Sequence, residues 1–299
     1  MELEYLLLDV FTSERMKGNQ LAVVCNGEGL LDNEMQAIAL EFNLSETVFL
    51  TKPVVERNTV AVRIFTPKTE LPFAGHPTVG AAVVLGLQHK VPVVRIEERV
   101  GLITALVDRT DKHSGNARFT LPRLPDEVEG MAPDTAAIAM ALGILPDDIG
   151  CGLYKTAVFT AGNLFYLVPV KSAHVLANLK LERRGWSEVF PLERHAVYVF
   201  TETPEEEGID FAARMFAPGM VGGEDPGTGS AAAALIGLIA RHVSFADGQG
   251  EFVLRQGDEM GRPCRIALQL RKDADILTHA GIGGNAVVVG EGKLYFDKG

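Results

Sequence analysis

Four short motifs occur twice in this 299-residue chain, in the same order and about 150 residues apart. The pairs are Gly18-Asn19 with Gly162-Asn163, residues 47–51 with 197–201, residues 63–67 with 214–218, and residues 76–80 with 225–229. A single match of this kind would carry little weight. The shared order and spacing indicate two copies of one unit rather than two β-rich halves that share only turn residues.

Each copy contains mainly short strands, because alternating or β-branched runs are bounded by Gly, Pro, Asn or Asp. Such runs predict strands over residues 5–11, 47–51, 60–65 and 265–270. One amphipathic helix is predicted over residues 33–42, with Asp32 placed to cap it. The glycine-rich residues 281–284 predict a turn between C-terminal strands.

Two further helices are predicted over residues 77–87 and 226–240, and both are apolar almost all round. A helix of this composition is buried on every side. Each begins with a proline, which favours the first helical turn, and Asp225 is expected to cap the second helix. A buried helix in a unit otherwise made of strands predicts an α+β fold in which a sheet wraps around a central helix.

The composition excludes several partners. The formal net charge of −11 disfavours nucleic acids and anionic membrane surfaces. No basic leader precedes an apolar segment, and residues 231–240 are too short to span a bilayer. The three cysteines are scattered without CxxC spacing, so we expect a cytoplasmic protein. The histidines lack metal-ligand spacing and no phosphate-binding loop is present, so we expect neither metal nor cofactor.

Three polar residues stand at positions that favour chemistry. His76 and Asp225 are predicted to start the two buried helices, where N–H groups and the helix dipole attract carboxylates. The alternative is that Asp225 only caps its helix and His76 is a turn residue. Glu46 is predicted at a helix-to-strand junction, and its counterpart in the second copy is Ala196, which would leave a base on one side only. Read without other information, Glu46 also fits a solvated loop position.

These residues lie in motifs that resemble the PhzF-like (phenazine-biosynthesis) family over essentially the whole chain. The motifs are Asn43-Leu44-Ser45-Glu46-Thr47, Phe73-Ala74-Gly75-His76-Pro77-Thr78 and Glu224-Asp225-Pro226-Gly227-Thr228-Gly229-Ser230-Ala231. Gly227 departs from the alanine expected there. The resemblance implies a diaminopimelate-epimerase-like α+β fold with two pseudo-symmetric lobes, each an antiparallel β-barrel-like sheet around a central buried helix. The expected lobes are residues 1–117 with 281–299, and residues 118–280.

The same resemblance implies a cofactor-independent isomerase that shifts a proton or double bond on a small carboxylated substrate bound between the lobes of a homodimer. Glu46 would be the acid/base, with His76 and Asp225 as further catalytic residues. Ser45, Gly75, Gly229 and Ser230 would bind the substrate. A role in phenazine biosynthesis does not follow from the fold or the motifs.

Two other functions remain open at this point. One is a racemase or epimerase that uses His76 and Asp225 as opposed bases. A two-thiol racemase is disfavoured because Cys25, Cys151 and Cys264 all lie outside the two helix-start motifs. The other is a non-catalytic protein that binds small carboxylates, although the presence of Glu46 together with the two helix-start residues argues against it.

Overall fold

The computed structural model describes residues 1–192, 196–220, 222–243 and 248–295, which form an α+β fold. The helices are α1 Asp32–Phe42, α2 Gly75–His89, α3 Thr135–Leu142, α4 Ala173–Ala177, α5 Trp186–Val189 and α6 Gly229–His242. The strands up to the chain midpoint are β1 Glu2–Val10, β2 Asn19–Val24, β3 Glu46–Thr51, β4 Val60–Phe65, β5 Glu70–Leu71, β6 Val93–Glu98, β7 Gly101–Arg109, β8 Ser114–Thr120 and β9 Asp126–Glu127. The remaining strands are β10 Ala157–Thr160, β11 Leu164–Pro169, β12 Val197–Glu202, β13 Phe211–Phe216, β14 Glu224–Asp225, β15 Gln249–Gln256, β16 Cys264–Asp273 and β17 Ile276–Tyr295.

The chain divides into two compact units. Unit 1 comprises Met1–Pro122 together with the segment that begins at Gly283, and unit 2 comprises Arg123–Ile282. These boundaries differ by a few residues from the predicted ones after residue 117 and before residue 281.

The strands of unit 1 form a closed barrel. β1 pairs with β2, β2 runs parallel to β3, β3 pairs with β4, and β4 runs parallel to β6. β6 then pairs with β7, β7 with β8, β8 with β17, and β17 returns to β1. Closure leaves this sheet without an open edge.

Helix α2 packs against β1, β2, β3, β6, β7 and β8 of this barrel. Its residues 75–86 are all buried, as the uniformly apolar sequence predicts. A Cβ at Gly86 would lie 2.5 Å from a methyl carbon of Val107 on β7, so the glycine allows helix and strand to approach. None of the helices in the described part of the chain combines the length and apolar character of a bilayer-spanning helix.

Unit 2 repeats this order of strand pairing. β10 pairs with β11, β11 runs parallel to β12, β12 pairs with β13, β13 runs parallel to β15, and β15 pairs with β16. The sequence of antiparallel and parallel pairs therefore matches that from β1 to β7. Helix α6 packs against β9, β10, β11 and β16 with residues 231–240 buried. A second core forms where Trp186 and Phe190 pack near Tyr166 and Ile138.

The turn predicted at residues 281–284 is wrong, because β17 runs unbroken through them. A Cβ at Gly283 would lie 2.8 Å from the carbonyl oxygen of Ala117 on β8. The glycine there permits the close approach of a neighbouring strand, which is another common reason for glycine within a strand.

The helix starts also differ from the predictions. The N-cap position of helix α1 is Leu31, whose side chain makes no hydrogen bond, and Asp32 is the first helical residue rather than the cap. The side chain of Glu34, in the first turn of the helix, accepts a hydrogen bond from the N–H of Leu31 at 2.7 Å and so satisfies a backbone donor at the helix start.

Candidate active site

Glu46 lies where the sequence predicts, at the junction of a helix and a strand. Helix α1 ends at Phe42, and its C-cap residue Asn43 has a left-handed φ of 50° that turns the chain. After the half-buried Ser45, strand β3 begins with Glu46 itself. The parallel pairing of β2 with β3 fixes the position of Glu46 on the barrel.

His76 is the second residue of α2. The helix begins at Gly75 after the extended residue Ala74, two residues earlier than predicted, so Pro77 occupies the third helical position. Ala74 offers no side-chain hydrogen bond to the first turn. Both Gly75 and His76 are buried.

The histidine cluster, defined as Asn19, Glu46 and His76, brings two predicted catalytic residues together. Nδ1 of His76 lies 3.5 Å from Oε2 of Glu46, and the two side chains are only 4% and 12% exposed. A carboxylate and an imidazole at this separation interact electrostatically, so the charge of each group affects proton transfer to and from the other. The pair is therefore suited to accept and return a proton with little contact with bulk water.

Asn19 is the member of the cluster that sequence reasoning missed as a site residue. Its Nδ2 lies 3.4 Å from Nδ1 of His76, and its side chain is buried. Gly18 before it has a φ of 67°, and a Cβ there would collide with Thr12 at 2.5 Å. The repeated Gly-Asn motif is the sequence signal that marks this position.

Asp225 occupies a different place from the one predicted. It is the last residue of β14, is buried, and does not cap α6, whose N-cap residue is Thr228. The hydroxyl of Thr228 donates a hydrogen bond to Oδ2 of Asp225 at 2.6 Å. The predicted binding residues Gly229 and Ser230 are the first two residues of α6.

Gln256, at the end of β15, makes four hydrogen bonds, three of them to the segment that contains Asp225 and Thr228. Its Nε2 donates to the carbonyl oxygen of Asp225 at 2.7 Å and to Oγ1 of Thr228 at 3.0 Å. Its Oε1 accepts from the N–H of Thr228 at 3.1 Å and from the hydroxyl of Tyr198 at 2.9 Å. We call Tyr198, Asp225, Thr228 and Gln256 the aspartate cluster.

The direction of each proton in the aspartate cluster is fixed by these contacts. Because Oγ1 of Thr228 accepts from the amide of Gln256, its single hydrogen is directed at Asp225, which acts as an acceptor. Neither Gln256 nor Tyr198 was identified as a site residue from the sequence, since each lies far along the chain from Asp225; Tyr198 falls in the repeated segment 197–201, which was read only as a strand. Gly257, with a φ of 85°, lets the chain after Gln256 approach the carbonyl oxygen of Pro226.

Cys264 lies near the aspartate cluster but is poorly suited to act as a nucleophile. Burial raises the pKa of its thiol well above the ordinary value, and the negative charge of Asp225 raises it further. Burial also raises the pKa of Tyr198, and the charge of Asp225 adds to that shift. Both groups therefore remain protonated near neutral pH.

The strand registers revise the correspondence between the two copies. The hairpins β4–β5 and β13–β14 share one register, and each short strand is a glutamate followed by one residue. That residue is Leu71 in the first copy and Asp225 in the second. By position in the following helix, the counterpart of His76 is Ser230, so the predicted equivalence of His76 and Asp225 is wrong. The prolines suggested the wrong match, because Pro77 is the third residue of α2 whereas Pro226 lies three residues before the start of α6.

The counterpart of Glu46 is confirmed. Thr47 pairs with Phe65, and Val197 pairs with Phe216 at the same point of the second copy. The residue before each of these is Glu46 in unit 1 and Ala196 in unit 2. A carboxylate at this place is therefore present in one copy only.

The arginine of the repeated motif at residues 63–67 and 214–218 has the same contacts in both units. Arg63 donates to both carboxylate oxygens of Glu70, each at 2.8 Å. Arg214 donates to both oxygens of Glu224 at 2.8 and 2.9 Å. Each guanidinium also lies over a phenylalanine ring two residues further on. These clamps hold the short strands that lead to α2 and α6.

Among residues 1–192, 196–220, 222–243 and 248–295, no group of three or more His, Cys, Asp or Glu side chains is arranged to bind a metal ion. The expected independence from metals and cofactors remains a prediction.

Comparisons with known proteins agree with the fold and with the family that the sequence motifs resemble. The model of the phenazine biosynthesis-like protein family matches residues 8–292. An uncharacterized isomerase of Mesorhizobium japonicum is 41% identical, with 97% of this chain and 98% of the relative covered. The trans-2,3-dihydro-3-hydroxyanthranilate isomerase of Pseudomonas aeruginosa is 31% identical, with 97% and 99% covered. The crystal structure of a Bacillus anthracis phenazine biosynthesis protein of the PhzF family shares the fold, with a TM-score of 0.86, 23% identity, and 99% and 100% covered.

The fold, the motifs and these relatives define an enzyme of the isomerase class. The chain belongs to the PhzF-like, or phenazine biosynthesis-like, family.

Proposed function

We propose that this isomerase moves a proton between two carbons of a small carboxylated substrate without a cofactor, with Glu46 as the single acid/base. The observation that carries the proposal is the contact between Glu46 and His76. The carboxylate is largely shielded from solvent and lies beside an imidazole that can stabilise either of its protonation states.

In this reaction Glu46 removes a proton from one carbon, and the electron pair of that C–H bond moves into the adjacent unsaturated system. The double bond shifts, and Glu46 returns a proton to a carbon further along the same system. Atoms and charge balance without a second reactant. The presence of Ala196 at the equivalent place in unit 2 supports one carboxylate serving both steps.

His76 and Asp225 are proposed to orient the substrate and balance charge on its polar groups. Ser45, Gly75, Gly229 and Ser230 are proposed as substrate-binding residues on the basis of their motifs. The early residues of α2 and α6 favour a substrate carboxylate, because N–H groups and the positive end of the helix dipole meet there.

The test uses trans-2,3-dihydro-3-hydroxyanthranilate, the compound named for several relatives, together with a panel of small unsaturated carboxylic acids. Incubation in D₂O followed by NMR reports both a shifted double bond and deuterium at carbon. We expect turnover of at least one compound by the wild type. Glu46→Gln should lower this turnover by roughly 10²–10⁴-fold while the fold is retained.

Glu41→Gln is the matched control, because Glu41 is an exposed carboxylate near the end of helix α1, just before the junction that carries Glu46. It should leave turnover unchanged. If Glu46→Gln retains near wild-type turnover while His76→Ala or Asp225→Asn is inactive, the single-glutamate mechanism is wrong.

The racemase alternative receives less support from the structure. A racemase with one base at the same position of each repeat would have His76 and Asp225 at matching positions, which the strand registers do not give. The residue that matches His76 in α6 is Ser230, which is not a base at neutral pH. Inversion of a stereocentre without a shifted double bond in the D₂O experiment would favour the racemase.

Three further expectations are retained as proposals. The two units are proposed to be pseudo-symmetric lobes of a diaminopimelate-epimerase-like fold, which their equal order of strand pairings supports. A homodimer in the cytoplasm is proposed from the family resemblance. Light scattering after size-exclusion chromatography measures the mass directly, and a single 32.2 kDa species would contradict the dimer.

A further inference from the structure

Glu98 is a buried carboxyl group outside the histidine and aspartate clusters. It is the last residue of β6, where it pairs with Gly101 of β7, and its side chain is only 8% exposed. By strand alternation it lies on the same face of β6 as the buried residues Val94 and Ile96. That face packs against α2, the helix that carries His76.

A short chain of hydrogen bonds connects Glu98 to the start of α2. Oγ1 of Thr78 lies 2.7 Å from Oε1 of Glu98 and 2.8 Å from the carbonyl oxygen of Ala74. Ala74 is the N-cap residue of α2, and the next two residues are Gly75 and His76. This series of hydrogen bonds therefore ends at the carbonyl group of Ala74, immediately before the first turn of α2.

The Thr78 hydroxyl carries a single hydrogen, and this bears on whether the carboxyl group of Glu98 is protonated. A threonine hydroxyl carries one hydrogen, so it cannot donate fully to both Ala74 and Glu98. Both short contacts are satisfied when Glu98 is a neutral acid that donates to Oγ1 of Thr78, which then donates to Ala74. The other oxygen, Oε2 of Glu98, is buried and has no hydrogen-bond partner among the described residues, which costs less for a neutral carbonyl oxygen than for an ionised carboxylate.

We infer that Glu98, as a neutral acid, is a positioning residue that holds the first turn of α2 and thereby sets the place of His76 beside Glu46. This inference deepens the proposed function and rests on it for its catalytic meaning. The contacts among Glu98, Thr78 and Ala74 stand independently of any substrate.

The surroundings of Glu98 agree with a neutral acid. Burial raises its pKa to about 8, and the hydrogen bond that the Thr78 hydroxyl can donate to the ionised carboxylate offsets this shift only in part. No charged neighbour in the described part of the chain contributes to the shift. The other titratable and charged groups on the surrounding elements lie elsewhere. Arg95 and Glu97 are on the other face of β6, Glu46 and His76 form the histidine cluster, and Glu70 and Arg99 pair with each other. The rest are at exposed positions: His89, Asp108, Arg109 and Arg118.

The contribution of Glu98 to the stability of the fold should decrease as the pH rises. The pKa of Glu98 in the folded chain is about 8, above the ordinary value of 4.5 expected in the unfolded chain. Its contribution to stability is therefore fully present below the unfolded pKa and is lost as pH rises through the folded pKa. Once Glu98 ionises, the hydroxyl of Thr78 turns to the carboxylate and Ala74 loses a hydrogen bond.

The decisive experiment compares wild type with Glu98→Gln by NMR of the backbone amides of Gly75 and His76 from about pH 6 to about pH 10. Glutamine copies the neutral acid, because its amide donates to Thr78 and its oxygen takes the place of Oε2. In the wild type both amides should titrate with a midpoint near pH 8, and in Glu98→Gln this titration should vanish. Glu97→Gln is the matched control on the opposite face of β6 and should keep the titration.

Persistence of the titration in Glu98→Gln, or its absence from the wild type, overturns the inference. If Glu98→Gln does not fold, Thr78→Val provides the same decision. Valine removes the link to Ala74, so the amides of Gly75 and His76 should stop responding near pH 8, whereas Thr78→Ser should keep the response. If the amides of Gly75 and His76 still titrate near pH 8 in Thr78→Val, the proposed link from Glu98 through Thr78 to Ala74 is wrong.

Once the D₂O experiment has identified a substrate, its turnover tests whether the contact between Glu98 and Thr78 affects catalysis. Glu98→Gln should match wild-type kcat within about twofold at neutral pH and should retain it above pH 8, where the wild type declines. Glu98→Ala should lose kcat with little change in KM, because it displaces the first turn of α2 without touching substrate. The amide titration needs no substrate, so failure of the proposed function and failure of this inference are distinguished.

Discussion

The guanidinium of Arg214 binds both carboxylate oxygens of Glu224, the residue that immediately precedes Asp225. The side chains are 10% and 17% exposed, and a third nitrogen of Arg214 donates to the carbonyl oxygen of Leu176 at the end of α4. Asp225 is thus fixed from two directions, through the main chain by this clamp and through Thr228 and Gln256.

Replacement of Arg214 tests the clamp. Arg214→Ala leaves Glu224 largely buried without its partner, so we expect a loss of about 3 kcal/mol or more in the free energy of unfolding. Arg214→Lys should also be destabilising, because an ammonium group does not reproduce the two parallel hydrogen bonds. Urea denaturation measures both. The matched variant Arg63→Ala should cost less, since Arg63 is 26% exposed and its pair is better screened by solvent; an equal or larger cost would contradict this ranking.

Gln256→Glu tests the hydrogen bonds of the aspartate cluster with almost no change in shape. The substitution removes the amide donors to Asp225 and Thr228 and places a second acid beside Asp225, so we expect destabilisation by about 2 kcal/mol or more. Turnover should fall as well, because the hydroxyl of Thr228 is no longer directed at the carboxylate. Gln269→Glu on β16 is the comparison: it also loses an amide hydrogen bond, to Glu251, but at a pair screened by solvent, so it should cost less than Gln256→Glu. Wild-type stability in Gln256→Glu would refute the assigned donors.

The thiols should be slow to react and dispensable. Burial raises the pKa of Cys25, partly offset by a hydrogen bond from Gln88, and burial raises the pKa of Cys264 more strongly. At neutral pH we expect little alkylation of either residue in the folded chain by iodoacetamide, measured by mass spectrometry. Cys25→Ser and Cys264→Ala should retain turnover. A thiol requirement would redirect the mechanism towards cysteine chemistry.

Removal of metal ions should not alter catalysis. We expect turnover to be unchanged after exhaustive dialysis against EDTA, because the proposed step uses only side-chain acid/base chemistry. Activity that is lost on dialysis and restored by a divalent cation would show that the proposed mechanism is incomplete.

The sequence predicted those features that depend on local pattern. The strands, the buried helices, the junction at Glu46 and its counterpart Ala196 all follow from side-chain periodicity and the repeat. The helix starts were harder to predict. Proline at 77 and 226 is compatible with several positions around a first turn, and only the strand register shows that Asp225 corresponds to Leu71.

The remaining features depend on contacts between distant segments. Gln256 meets Asp225 only because β15 pairs beside β13, and Asn19 reaches His76 only because β2 lies next to the start of α2. Glycine at 283 reads as a turn in the sequence, although its role is to make room for Ala117. A short stretch of sequence does not reveal contacts of this kind between distant residues.

The pairing of β1 with the end of β17 has a consequence for biogenesis. Residues 2–10 pair with residues 286–295, so β1 is synthesised long before the strand that completes its barrel. Unit 2, which lies between these strands in the chain, has no such dependence on β1. Contacts this far apart in sequence form slowly and leave strand edges exposed in the meantime. We therefore expect unit 2 to acquire its structure first during synthesis, and the nascent barrel of unit 1 to be the part of the chain that most needs chaperone protection.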